Sequence, residues 1–150
     1  MSYLTHLKDL GYTLEPLELN AGRLMHAVRT GNLVYTSGQV SRWGETLIKG
    51  KLGDDLTVEQ GYQAAKLCAL NCLRAVHQLV GLDNITRVLK VLGMVNVGKD
   101  FNNTPGVIHG ASDLYISVFG EAGRHARSAV GMTIPDNFAV EVETIFEVRG

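Results

Sequence analysis

The chain has 150 residues, 45% of them apolar and 19% charged, which suits one globular domain with a sizeable hydrophobic core. Its 14 basic and 15 acidic residues leave a net charge of −1, which argues against a protein that mainly binds nucleic acid. No stretch reaches the roughly 18 apolar residues of a membrane span, and the opening MSYLTHLKDLG lacks the pattern of a signal peptide. We therefore expect a single domain over residues 1–150, without a membrane segment and in the cytoplasm.

The first fifty residues predict a short helix, a connector and a hairpin. Leu4, Leu7 and Leu10 follow helical spacing, and Gly11 marks the end of that helix. Gly31 and the asparagine that follows it tolerate the positive φ angles of a tight hairpin turn. The expected elements after the helix are an extended connector over residues 12–22, a strand near 25–29, a turn at 30–32, a strand over 33–40 and a short strand near 46–51.

Two longer helices are predicted, one on each side of an apolar strand. Thr57 and Gln60 form a capping box at the start of the first helix, and Gly81 ends it. Its apolar stripe consists of Ala65, Ala69, Cys72, Val76 and Leu79. The strand that follows, ITRVLKVLGMVNV, is almost continuously apolar, which is typical of a central strand covered on both faces.

The second helix is predicted to begin with Thr104 as N-cap and Pro105 at its first position, and to end at Gly120. Its stripe comprises Val107, Ile108, Ala111, Leu114, Tyr115 and Val118. Two strands joined by a turn at residues 135–137 then finish the chain. Two helices that each bury one face need a sheet to lie on, so the fold class is α+β with two layers. The other face of the sheet also needs a cover, which favours self-association.

The charged residues of the last two strands raise the question of function. Alternate residues of a strand point to opposite faces, so Glu141 and Glu143 share a face with Glu147, away from the apolar side. One interpretation is a solvated face, and we adopt it for Glu143 and Glu147. In the same interpretation Arg127, at the start of the preceding strand, is a surface residue that pairs with one of these glutamates.

Other chemistries find little support in the sequence. Cys68 and Cys72 lie four residues apart in a predicted helix, where two small buried side chains are the simplest interpretation. The five histidines show no close pair of the kind that zinc sites favour, so no metal is expected. Ser37 lacks the G-x-S-x-G context of a serine hydrolase nucleophile, and no glycine-rich phosphate loop predicts a cofactor.

Several segments together resemble the RidA (YjgF) family of enamine/imine deaminases. They are AVRTGNLVYTSGQV, NCLRAVHQLVGL, RVLKVLGMVNV, GASDLYISVFGEAGRHARSAVGM and AVEVETIFEV, in the family's order from about residue 20 to the end. Residues 1–20, with their short helix, form an N-terminal extension typical of one branch of the family. The resemblance implies a chorismate-mutase-like fold, a mixed β-sheet with two long helices on one face. It also implies a homotrimer in which three sheets meet around a barrel-like core.

The resemblance assigns roles to individual residues. Members bind small 2-imino or 2-oxo acids in clefts between subunits, where the arginine of the ARS motif, here Arg127, holds the carboxylate. A guanidinium suits this role because it forms two parallel hydrogen bonds to a carboxylate. Glu141 matches the family glutamate that holds or activates water, as a general base would. The backbone around Ser37 and Gly38 lines the pocket. The implied reaction is hydrolysis of an imino acid to a 2-oxo acid and ammonia, for which no cofactor is needed.

Two pocket positions depart from the family pattern. Leu24 occupies the place of a tyrosine, so a phenolic hydroxyl that positions substrate or water is lost. His109 occupies the place of an asparagine at the start of the second long helix. Its imidazole can donate and accept hydrogen bonds near neutral pH, or it can be a capping or interface residue.

Three functions therefore stay open. The first is an imine/enamine deaminase, a hydrolase that uses Arg127 and Glu141. The second is a trimer that captures a small carboxylate or regulates a partner without turnover, which the leucine at position 24 favours. The third is an endoribonuclease of the L-PSP type, against which the near-neutral charge argues.

Overall fold

The computed structural model describes residues 2–150 and places two long helices on one face of a six-stranded sheet. The helices are α1 (Tyr3–Asp9), α2 (Val58–Val80) and α3 (Thr104–Phe119). The strands are β1 (Ala27–Thr30), β2 (Leu33–Thr36), β3 (Gln39–Val40), β4 (Arg42–Trp43), β5 (Thr46–Leu47), β6 (Ile85–Asn96), β7 (Ala126–Met132) and β8 (Val140–Val148). The α+β, two-layer prediction is thus confirmed. Residues 10–26, between α1 and β1, contain no regular helix or strand, and an isolated bridge pairs Asn20 with Met25.

The sheet is mixed, with strand order β1-β2-β8-β6-β7. Strands β6 and β7 run parallel, and the other neighbouring strands pair antiparallel. Strand β3 continues beyond β2 along the same edge of β8, where Val40 pairs with Glu141. Strands β4 and β5 form a separate two-stranded ribbon. Because β7 has a neighbour on one side only, it is an edge strand of the described chain.

Helix α2 follows the sequence prediction closely. The Thr57 hydroxyl accepts from the Gln60 backbone N–H at 3.2 Å, and the Gln60 side chain accepts from the Thr57 N–H at 2.8 Å. These two bonds are the predicted capping box, and Gly81 ends the helix with a φ of 87°. Four of the five stripe residues are fully buried, whereas Leu79 is only half-buried.

Helix α3 begins one position differently from the prediction. Asn103, not Thr104, is the N-cap, since its side chain accepts from the Gly106 N–H at 3.2 Å. Thr104 lies inside the helix, and its hydroxyl donates to the Ala129 carbonyl at 3.0 Å, which ties α3 to β7. Two candidate capping side chains in sequence made the choice between them ambiguous.

The predicted strand over residues 33–40 is divided in the structure. Strand β2 ends at Thr36 and β3 begins at Gln39, so Ser37 and Gly38 interrupt the run. The Ser37 N–H donates to the His26 carbonyl at 2.9 Å, which holds the interruption against the chain before β1. The short strand expected near residues 46–51 is shorter in the structure and corresponds to β5 (Thr46–Leu47).

The face of the sheet away from the helices is not covered within the described chain, whereas the sequence predicted cover on both faces of β6. In β8 the residues at even positions from Val140 to Val148 are buried beneath the helices, and those at odd positions lie on the open face. Val28, Tyr35 and Val130 expose 50%, 41% and 41% of their surface there. No helix of residues 2–150 has the length and apolar character needed to cross a membrane.

Candidate functional site

Arg127 lies on edge strand β7 and points to the helix side of the sheet. It pairs in register with the buried Val91 of β6, and its guanidinium reaches helix α3. Nη1 lies 3.0 Å from His109 Nδ1 and donates to Ser112 Oγ at 3.1 Å. Both hydrogens of Nη1 are therefore used, while those on Nη2 and Nε have no partner in residues 2–150. A planar fork remains available for a carboxylate.

A directed chain of hydrogen bonds holds the Ser112 hydroxyl beneath Arg127. His125 Nδ1 lies 2.6 Å from the Gly123 carbonyl, which can only accept, so the Nδ1 proton is donated there. His125 Nε2 then accepts from the Ser112 hydroxyl at 2.9 Å, and Ser112 Oγ accepts from Arg127. Burial lowers the pKa of His125, which supports the neutral form that this chain requires. We call His109, Ser112, His125 and Arg127 the Arg127 cluster.

Arg127 has no acidic partner in the described chain. The ion pairs of residues 2–150 are Lys49 with Asp136 and Arg124 with Glu121. The interpretation of Arg127 as the surface partner of a β8 glutamate is therefore wrong. The physical reason is register, because the glutamates lie on the open face and Arg127 lies on the helix side.

Glu141 stands on the open face, next to the interruption between β2 and β3. It pairs with Met94 of β6 on one side and with Val40 on the other. A Cβ added at Gly38 would overlap the Glu141 carboxylate, so only glycine leaves room for this side chain. Burial, and secondly the charge of Glu143, raise the pKa of Glu141 above its ordinary value. The site thus holds a half-buried carboxylate against a bare backbone segment.

A single chain does not bring Arg127 and Glu141 together. Arg127 lies on the helix side of the edge strand, and Glu141 lies on the other side of the sheet, two strands away. Of the residues assigned from the sequence, Arg127 meets His109, and Glu141 meets Gly38. Within one chain the two groups therefore belong to separate surfaces.

The remaining candidates take less direct positions. The Ser37 hydroxyl donates to the Met25 carbonyl at 2.6 Å, so it fixes the loop instead of facing a pocket as a free nucleophile. Leu24 exposes 49% of its surface and its carbonyl accepts from the Ala21 N–H. Glu147 accepts from the Thr86 hydroxyl at 2.7 Å on the exposed end of β8.

The sequence interpretation missed Ser112 and His125. Two spacings were available as signals: Ser112 lies one helical turn after His109, and His125 lies two residues before Arg127, at strand spacing. Neither spacing says which helix faces which strand, and only the fold shows that these two pairs meet.

The two cysteines lie in the core, as predicted. Cys68 and Cys72 are fully buried on α2 and donate weakly to the carbonyls of Val140 and Val142 at 3.3 and 3.4 Å. Burial raises the pKa of both thiols, which keeps them protonated. Residues 2–150 contain no group of three or more histidine, cysteine or acidic side chains that is placed to hold a metal ion.

Comparison with known proteins places these features in a family context. Residues 11–143 match the family model described as "YjgF/chorismate mutase-like, putative endoribonuclease". The chain is 38% identical over 148 residues to "Protein TCP17" of Trypanosoma cruzi, which covers 96% of this chain and 92% of that protein.

Two solved structures are closely similar over the whole chain. One is the protein Atu1372 of Agrobacterium tumefaciens, described as of unknown function, with 38% identity and a TM-score of 0.90 over 99% of this chain and 94% of that one. The other is described as a putative endoribonuclease of Shewanella oneidensis, with 32% identity and a TM-score of 0.91 over 99% of this chain and 100% of that one.

Proposed function

Since the chain belongs to the YjgF/chorismate mutase-like family, also called RidA, we propose that it hydrolyses small 2-imino or enamine acids to 2-oxo acids and ammonia. The proposed site is a cleft between subunits of a homotrimer. In it Arg127 of one copy binds the substrate carboxylate, and Glu141 beside Gly38 of a neighbouring copy handles the reacting water.

The observation that carries this proposal is the state of the Arg127 guanidinium. It is half-buried, it is fixed by two neutral groups, and it has no carboxylate within the described chain. A guanidinium that served stability alone would gain most from an acidic partner, which is missing here. The free Nη2 and Nε hydrogens suit a bidentate carboxylate ligand, which would fix both the charge and the orientation of an imino acid.

In this proposal Glu141 acts as a general base. Its carboxylate takes a proton from water as the water oxygen bonds to the imine carbon, and the nitrogen leaves as ammonia after it is protonated. The carbonyl oxygen of the product comes from that water, so the overall change is imine plus water to ketone plus ammonia. A pKa raised by burial makes this carboxylate a better base than an exposed one.

In the proposed trimer, Glu141 of one copy would meet Arg127 of another, because a single chain keeps the two groups apart. The open face carries exposed apolar side chains on three strands, Val28 on β1, Tyr35 on β2 and Val130 on β7. Packing these faces against one another would remove apolar surface from water. It would also place the edge strand of one copy near the loop between β2 and β3 of the next. Light scattering of the purified protein gives the subunit number directly.

Turnover of an imino acid tests the proposal. We would generate 2-iminopropionate in situ with an amino-acid oxidase and trap the surviving imine with semicarbazide. The native protein should decrease trapping, and Arg127→Ala should decrease the rate by about 100-fold because a charge-assisted bidentate contact is removed. Lys8→Ala serves as a control, since it removes an exposed cation from α1 without touching the Arg127 cluster or the open face of the sheet. Equal trapping with and without the native protein, across several imino acids, would reject the deaminase.

A carboxylate-binding or regulatory trimer without turnover is the second candidate. Leu24 favours it, because the exposed leucine offers no hydroxyl to position water. In that case 2-oxo acids should bind in an Arg127-dependent way while trapping stays unchanged. The endoribonuclease named for the family model and the Shewanella protein is a third candidate, and salt-sensitive affinity for RNA would reveal it.

A further inference from the structure

A cavity separate from the Arg127 cluster lies beside β3, whose Val40 lines it and pairs in register with Glu141. It is a half-open cleft of about 610 Å³ between the N-terminal connector, α2 and the β3–β4 segment. The residues that matter for its chemistry are Leu17, Gln39, Arg42, Trp43, Asn71 and Arg74. This volume lies within the range of sites that hold small organic ligands. Nothing in the proposed deaminase reaction uses it.

The charges around the cleft favour an anion. Arg42 and Arg74 line it against a single acidic residue, Glu15. Arg74 is already engaged, since its Nε donates to the Glu15 carbonyl at 2.8 Å and its Nη2 donates to the Pro16 carbonyl. Arg42 is exposed and has no acidic partner or hydrogen bond from its side chain within residues 2–150. It is therefore the group available to meet a ligand's negative charge.

The walls of the cleft are fixed before any ligand arrives. The Asn71 amide donates to the Arg42 carbonyl at 2.6 Å, so α2 holds the backbone of the β4 residue whose side chain we assign to the anion. The Gln39 amide lies 3.2 Å from His26 Nδ1 and donates to the Ser37 carbonyl at 3.2 Å, which uses its donors and leaves its oxygen open. Fixed walls lower the ordering cost of binding.

An apolar and planar surface completes the cleft. The indole of Trp43 and the side chain of Leu17 are half-buried at its edge and pack against the core. Because Trp43 and Arg42 both line the cleft, a flat ring can pack against the indole while an anionic substituent on it pairs with the guanidinium. We propose that this cleft binds a small aromatic carboxylate, at a site independent of the Arg127 cleft.

Trp43 makes the proposal directly testable, since it is the only tryptophan of the sequence. Benzoate is the probe and benzamide, its neutral isostere, is the matched ligand control. Excitation at the red edge of indole absorption should report a saturable change in Trp43 emission with benzoate and none with benzamide. The titration is run in Arg127→Ala, so that the carboxylate site of the proposed deaminase is removed in advance. Calorimetry on the same variant provides a second readout.

A second variant connects the signal to the cleft. Arg42→Gln in the Arg127→Ala background should weaken benzoate binding by roughly tenfold, because the exposed cation that meets the carboxylate is lost. Circular dichroism and thermal unfolding check that the fold is kept. The proposal is overturned if benzoate gives neither heat nor an emission change, if benzamide binds equally well, or if Arg42→Gln binds benzoate unchanged. Because turnover of imino acids plays no part in the assay, its failure and that of the deaminase are separate results.

Discussion

The two halves of the proposed site are held in place by different means. The Arg127 cluster is built by hydrogen bonds that run from the Gly123 carbonyl through His125 and Ser112 to the guanidinium. Glu141, in contrast, makes no side-chain hydrogen bond within residues 2–150 and is positioned by the space that Gly38 leaves open. One half depends on directed bonds, and the other depends on a missing Cβ.

The difference predicts how each half responds to change. Removing one hydrogen bond from the Arg127 cluster leaves the other hydrogen bonds in place, so the loss of activity should be partial. A Cβ at Gly38 would displace the whole Glu141 carboxylate from its position, so the loss of activity should be abrupt. Four substitutions test this contrast, at Gly110, Gly38, Ser112 and Glu143.

Gly110→Ala should have the largest effect, and it should act on stability. A Cβ at this position of α3 would overlap the backbone carbonyl of Tyr62 on α2, and backbone cannot move aside as a side-chain end can. We expect a loss of about 1–3 kcal/mol, or several degrees in Tm for a domain of this size. Thermal unfolding measures it, with Gly38→Ala as the matched substitution. An unchanged Tm for Gly110→Ala would show that α2 and α3 are not closely packed at this point.

Gly38→Ala should leave stability nearly unchanged and remove activity. The new Cβ would overlap the end of the flexible Glu141 side chain, which can turn away at little cost to the fold. The displaced carboxylate would no longer take a proton from the attacking water. Turnover of the imino acid should therefore fall by about 100-fold, as expected for loss of a general base. Glu141→Gln should give a similar loss, and Glu147→Gln, at the exposed end of the same strand, should not. Full activity in Gly38→Ala would remove Glu141 from the proposed mechanism.

Ser112→Ala should give an intermediate effect that is specific to substrate binding. It removes one of the two neutral acceptors of Arg127 Nη1 and leaves His109 in place. The change also breaks the Ser112–His125 hydrogen bond, so Arg127 keeps only its contact with His109, and KM should rise by roughly three- to tenfold while kcat changes less. Ser117→Ala, at an exposed position of the same helix, is the control. A fall in kcat with an unchanged KM would mean that Ser112 acts on the reacting atoms and not through Arg127.

The sequence predicted the elements that local signals determine. The capping box at Thr57, the helix end at Gly81 and the turn at residues 135–137 follow from side chains close in sequence, and the structure agrees on each. It predicted less well where two local signals compete, as at Asn103 and Thr104.

The site was predictable in its residues more than in its arrangement. Resemblance supplied Arg127 and Glu141, and strand parity placed Glu141 on the face away from the helices, as observed. The face occupied by Arg127 depends on the parallel register of β7 with β6, which involves residues 36 positions apart. For the same reason Ser112 and His125 were missed, because no local pattern shows that α3 lies against β7.

The pH dependence of activity should show the smallest change and bears on Glu141 alone. Burial raises its pKa, and the charge of Glu143 adds to this. Because the base must be ionised, activity should fall as pH decreases through the raised pKa. The same shift has the opposite sign for stability: the folded state binds the proton more tightly, so this carboxyl costs stability above the raised pKa and not below the unfolded value. Glu143→Gln removes the neighbouring charge and should move the acid limb of the pH–rate profile to lower pH by less than about one unit. Glu147→Gln should leave that limb in place, and a limb that stays fixed in both variants would assign the titration to a group other than Glu141.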